Sequence, residues 1–109
     1  MSKPTDLVQG TLDLLILKVI ASEPVHGWAI AQRIRQMSSD VLQVGQSALY
    51  PALHKLERQG WITSEWKISE TNRRAKYYSL TRMGRRAVAQ EAANWERLSA
   101  AISAIVRTV

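Results

Sequence analysis

The chain has 109 residues, 46% of them hydrophobic, with no cysteine and a formal charge of +6. That suits one domain with a single modest core, and it excludes a disulfide framework and thiolate chemistry. The opening MSKPTDLVQG lacks the apolar core of a signal peptide, and the longest apolar run, Leu14 to Leu17, is too short to cross a bilayer. A soluble, cytoplasmic protein with no membrane partner is therefore expected.

In chain order, Asp6 is a suitable N-cap for a helix from about Leu7 to Ala21, ended by Ser22–Glu23–Pro24. Val8, Leu12, Leu15, Ile16, Val19 and Ile20 form one broad apolar face, and Leu7, Leu14 and Leu17 lie on the other side. A helix with two apolar faces is either central to its own core or shared with a second subunit. The expectation favours a second subunit for this second patch, Leu7, Leu14 and Leu17. His26 and Gly27 open a second helix from Trp28 to about Met37, with His26 capping it or packing near it. After the polar break Ser38–Ser39–Asp40, a short extended segment (Val41, Leu42, Val44) leads to a third helix. That helix starts no earlier than Gln46, because Pro51 must lie close to its beginning, and it ends before Gly60.

The third helix segregates its side chains. Ala48, Leu49, Ala52, Leu53 and Leu56 share one side, and Ser47, Tyr50, Pro51, His54, Lys55 and Arg58 occupy the other. After Gly60 the period becomes two. Ile62, Trp66 and Ile68 alternate with Thr63, Glu65 and Lys67, as in a half-buried strand. Residues 69–74 form a turn and Lys76 to Leu80 return, with Tyr78 and Leu80 on one face and Tyr77 on the other. Thr81 then caps a long helix in which Val88, Ala92, Trp95, Ser99, Ile102, Val106 and Val109 follow the alternating four-and-three spacing of a helix-pairing seam. Leu98 and Ile105 broaden that stripe. Trp28, Trp61 and Trp66 are expected to pack in the core or ribbon.

The positive charge is concentrated. Residues 1–40 and 87–109 are each balanced, residues 41–60 carry +1, and residues 61–86 carry +5. The two histidines, His26 and His54, fall on different helices with no metal spacing, and there is no phosphate-binding glycine loop or nucleophile elbow. An enzyme, a metal site and a cofactor are therefore not expected. The predicted fold is mainly α with a small β-ribbon: a winged helix-turn-helix over residues 1–80 and a long C-terminal dimerisation helix over 81–109, packed on the same domain. In such a module the third helix lays its polar face in the major groove of double-stranded DNA. Ser47, Tyr50, His54, Lys55 and Arg58 suit that role, and Asn72, Arg73, Arg74 and Lys76 give the ribbon tip its reach to phosphates.

The segments QGTLDLLIL (9–17), HGWAIAQRI (26–34), SALYPALHKLERQGWI (47–62) and RRAKYYSLTRMGRR (73–86) resemble the PadR family of bacterial transcriptional regulators along nearly the whole chain. The short length and single closing helix look like the compact branch of that family, closest to a PadR-like subgroup associated with acidobacteria. The resemblance implies a homodimeric DNA-binding regulator, usually a repressor acting at an inverted-repeat operator and released by a small molecule or another signal. It adds Gln46 to the recognition residues, and it implies phosphate contact for Tyr50 and ribbon packing for Tyr78. The dimer contacts expected are Leu14, Leu17, Val88, Ala92, Trp95, Ser99, Ile102 and Val106. Some compact relatives bind flat aromatic compounds between residues placed like Trp95, so Trp95 either fills the interface or flanks such an effector. The competing reading is a winged-helix interaction module that grips an acidic protein or RNA without operator specificity.

Overall fold

The computed structural model describes residues 11–108. Among these residues four helices, α1 (Leu12–Val19), α2 (Gly27–Met37), α3 (Gln46–Arg58) and α4 (Arg82–Val106), are joined with strands β1 (Val25–His26), β2 (Ile62–Ile68) and β3 (Arg74–Leu80). The strands form one antiparallel sheet in the order β1-β3-β2, so the ribbon carries a short third strand on its outer edge. This is the winged helix-turn-helix the residue pattern predicts. The expected cap Asp6, the residues Leu7 and Val8, and Val109 lie outside the described residues.

Local chemistry sets the helix boundaries. His26 caps α2, its Nδ1 accepting the Ala29 N–H at 3.4 Å. Gly60 follows α3 with φ +81°, a left-handed conformation that a side chain would strain. The chain thereby turns back sharply into β2. Thr81 caps α4 by accepting the Gly84 N–H at 3.0 Å, while its own hydroxyl donates to the Gly60 carbonyl at 2.6 Å. One threonine thus fastens the start of α4 to the end of α3. Pro51 is the sixth residue of α3 rather than part of its first turn. It supplies no N–H to the Ser47 carbonyl, which lies at the exposed beginning of the helix.

The core is built around α1, which packs against α2, α3 and α4. Leu12, Ile16, Val19 and Ile20 are buried, and so is Leu17, at 0% exposure. The expectation that Leu17 faces a partner subunit is therefore corrected. α4 lies against α1, and both sides of the short helix are consumed within one chain. Leu14 is only half-buried, at the edge of that core. Val88 is likewise a core residue, buried on the first part of α4, and the exposed stripe of that helix begins after it. Residues 41–44 pair with no strand among the described residues; Leu42 and Val44 rest against the core, while Val41 is exposed. Among the described residues no helix is long and apolar enough to cross a membrane.

Candidate nucleic-acid interface

Leu49, Leu53 and Leu56 anchor α3 in the core and fix which arc faces outward. On that arc Gln46, Ser47, Pro51, His54 and Arg58 are exposed. Two other predicted contacts are placed differently. Lys55 lies on the flank and its ammonium pairs with Asp13 of α1 at 2.6 Å, so it ties α3 to α1 instead of facing outward alone. Tyr50 is half-buried, with its ring against Gly27: a Cβ on Gly27 would stand 3.0 Å from both Cε1 and the hydroxyl oxygen of Tyr50. The tyrosine edge wedges between α3 and the start of α2.

The ribbon registers Ile62 opposite Leu80, Ser64 opposite Tyr78, Trp66 opposite Lys76 and Ile68 opposite Arg74. Directly paired residues project to the same side, so Trp66, Ile68, Arg74 and Lys76 share a face with Ser64 and Tyr78. That face looks toward α3, because the Ser64 hydroxyl donates to the Glu57 carboxylate at 2.6 Å. The tip is closed by Ser69 N–H to the Arg73 carbonyl at 2.7 Å and Asn72 N–H to the Ser69 carbonyl at 2.9 Å. Asn72 takes φ +60°, a left-handed conformation that asparagine tolerates. Arg73 and Arg74 leave this turn exposed.

Among the described residues the ion pairs are Arg33–Glu23, Arg35–Asp40, Lys55–Asp13 and Lys67–Glu65. Arg58, Arg73, Arg74 and Lys76 take part in none of them. Two of these lie over aromatic rings instead, Arg74 over Trp66 at 5.0 Å and Lys76 over Tyr78 at 5.8 Å, while Lys67, paired with Glu65, also stands over Tyr77 at 5.7 Å. Arg74 and Lys76, held this way, keep their charge uncompensated and available to phosphate.

Two tryptophans depart from the packing role expected of them. Trp28 is 57% exposed and Trp66 55%, whereas Trp61 does pack against the core. Trp28 sits about 140° around α2 from the Ile30–Ile34 line, outside the buried stripe. Trp66 is four residues out along β2, about 13 Å beyond Ile62, where no helix covers the ribbon. That distance was the signal available in the sequence for Trp66. Trp28 stacks on His26, which in turn meets Tyr77 edge-on, along an open groove of about 700 Å³ behind the ribbon.

Tyr78 is buried on the ribbon face that looks toward α3, and its phenol is pushed above the ordinary value by burial first, then by the charge of Glu57 and by Tyr50. The folded state therefore keeps this proton where the unfolded chain has lost it. Its contribution to stability is complete below about pH 10, the ordinary tyrosine value, and is lost as pH rises through the raised one. Tyr78→Phe is expected to give a flatter stability–pH curve in the alkaline range, measured by urea unfolding. Equal alkaline slopes in the two proteins would contradict this.

Residues 16–90 match the model of the family described as "Transcriptional regulator PadR-like family". The chain is 32% identical over 91 residues to a transcriptional regulator of Mycobacterium tuberculosis, covering 84% of this chain and 81% of that protein. Its structure superposes on a transcriptional regulator from Clostridium thermocellum with a TM-score of 0.84 and 28% identity, covering 94% of this chain and 99% of that one. A PadR family transcriptional regulator from Eggerthella lenta gives a TM-score of 0.76 at 29% identity, over 95% and 88% of the two chains.

Proposed function

Because the chain belongs to the PadR-like family of transcriptional regulators, a DNA-binding regulatory class, we propose that it acts as a homodimeric repressor at an inverted-repeat operator. The observation that carries the reading is the adjacency of two surfaces. The helix that bears the exposed arc, α3, is tied by the Glu57–Ser64 hydrogen bond to the ribbon face that carries the unpaired cations Arg74 and Lys76. In this reading Gln46, Ser47, His54 and Arg58 enter the major groove. Asn72, Arg73, Arg74 and Lys76 meet the flanking backbone, and Tyr50 and Lys55 hold α3 in place.

Residues 1–80 would form the reading unit and residues 81–109 the pairing helix. The exposed stripe Trp95, Leu98, Ile102, Ile105 and Val106 supports pairing, since a lone soluble chain rarely leaves such a surface bare. Ala92 and Ser99, half-buried, lie along the same stripe. A two-fold pair would set two α3 helices in successive major grooves, about 34 Å apart. A flat aromatic effector would reach Trp95 from both subunits at once.

The test is duplex binding across a salt series, with operator and random DNA compared. Arg73→Ala is expected to weaken every duplex alike and to reduce the salt slope by about 1. Ser47→Ala or His54→Ala is expected to change base preference at one position of each half-site, by about 1–3 kcal/mol. Equal affinity for all duplexes, unchanged by either helix substitution, would overturn the reading and favour an acidic protein or RNA as the partner.

A further inference from the structure

We infer that Trp66 is a positioning residue for duplex binding, holding the Arg74 guanidinium in its phosphate-contacting orientation; this rests on the DNA-binding reading above. Trp66 does not serve the core. It is 55% exposed on the outer half of the ribbon, beyond the part that the helices cover, and its neighbour Ile68 is exposed as well. Its indole lies on the ribbon face that looks toward α3, directly opposite Lys76 and diagonal to Arg74. Diagonal neighbours on antiparallel strands are within reach of a large aromatic ring. The guanidinium carbon of Arg74 stands 5.0 Å from the indole centroid, inside the range of a favourable cation–π contact.

Arg74 has no carboxylate partner among the described residues. The indole is therefore what orders it. An arginine free to sample its rotamers must be immobilised when it grips a phosphate, and that ordering subtracts from affinity. An arginine already laid along an indole has lost much of that freedom beforehand, while its charge and its N–H donors remain available. The aromatic surface thus acts on the cation, and the cation acts on the duplex. Lys76 over Tyr78, on the same face, repeats the arrangement closer to the core.

The inference is tested by a double-mutant cycle on the full chain, with operator duplex at several salt concentrations. Trp66→Leu is expected to weaken binding about three- to tenfold, the size of ordering one long side chain. It should leave the salt slope unchanged, because no charge is removed. Trp66→Phe should recover most of the loss. In an Arg74→Ala background, Trp66→Leu should change affinity less than about twofold. In the free protein, the Arg74 side-chain proton resonances should be displaced by the indole ring current and should return to ordinary positions in Trp66→Leu.

A loss of the same size in the Arg74→Ala background would overturn the inference, since Trp66 would then act on its own. Wild-type affinity in Trp66→Leu, or undisplaced Arg74 resonances in the free protein, would overturn it too. In those cases the DNA-binding reading stands, provided Arg73→Ala and His54→Ala still weaken or redirect binding. Failure of the unmodified protein to prefer any duplex sinks that reading, and this inference with it. Trp66 buries too little for its replacement to threaten folding, and the melting temperature of each variant checks that.

Discussion

Ile102→Glu is expected to convert paired molecules into single chains and to lower operator affinity by at least about a hundredfold. Ile102 is 49% exposed in the middle of the α4 stripe, with Trp95 and Leu98 before it and Ile105 and Val106 after it. In a two-fold pair each glutamate would lose water against an apolar surface and stand close to its own copy. Desolvation and like charge act in the same direction there. One chain alone grips one half-site, and the second grip is no longer supplied at high effective concentration. The fold itself should survive, because the buried core includes Val88 but nothing further along α4. Sedimentation and operator titration, with circular dichroism as the folding control, measure the two effects separately. A variant that still sediments as a pair with intact affinity would remove α4 from the interface.

Gly84→Ala is expected to destabilise the fold by about 3 kcal/mol or more, an overpacking cost at the top of the usual range. A Cβ at this position would lie 2.0 Å from the Trp61 carbonyl oxygen and 2.9 Å from its carbon. Neither atom belongs to a flexible side chain, so no rotamer change relieves the clash. The same turn is fixed on every side: Thr81 N–H donates to the Trp61 carbonyl at 3.0 Å, and the Thr81 hydroxyl donates to Gly60. The only escape is to lift α4 away from the α3–β2 turn, which strips cover from α1. The corresponding fall in melting temperature is roughly 15 °C for a domain of this size. Gly45→Ala is the control. Gly45 has φ −81° and open space around it, with Ser47 Oγ no nearer than 3.9 Å, so it should melt close to the parent. If Gly84→Ala melts with that control, α4 does not approach Trp61 as closely as described.

Helices α2, α3 and α4 and the two long strands were legible because each repeats its period over enough residues to reveal it. Strand β1 was not, since two residues, Val25 and His26, carry no period; they are a strand only because Tyr78 and Tyr77 lie beside them. The exposed arc of α3 followed from its wheel, but Lys55 did not. Its pairing with Asp13 depends on how α1 crosses α3, a long-range geometry that local spacing does not encode. Leu17 was misplaced for the same reason. An apolar patch on a helix states that something covers it, not whether the cover comes from the same chain. Trp66 does pack on the ribbon, against Arg74, but its exposure was not legible because a strand's alternation tells which side a residue takes, not how far the covering layer extends.

The 25-residue length of α4 has a mechanical consequence. At 1.5 Å per residue it is a rod of about 37 Å. Its beginning is bolted to the turn after α3, and α1 links the rod to α3 again through packing and the Asp13–Lys55 pair. In a paired molecule whose rods cross near Ile102, about 30 Å from that beginning, a tilt of only about 10° would swing each α3 helix through roughly 5 Å, about one and a half base-pair steps along the duplex axis. In the proposed dimer, leverage of that kind would let a slight disturbance at the crossing throw both α3 helices out of step with the groove, without anything touching the proposed DNA-facing surface.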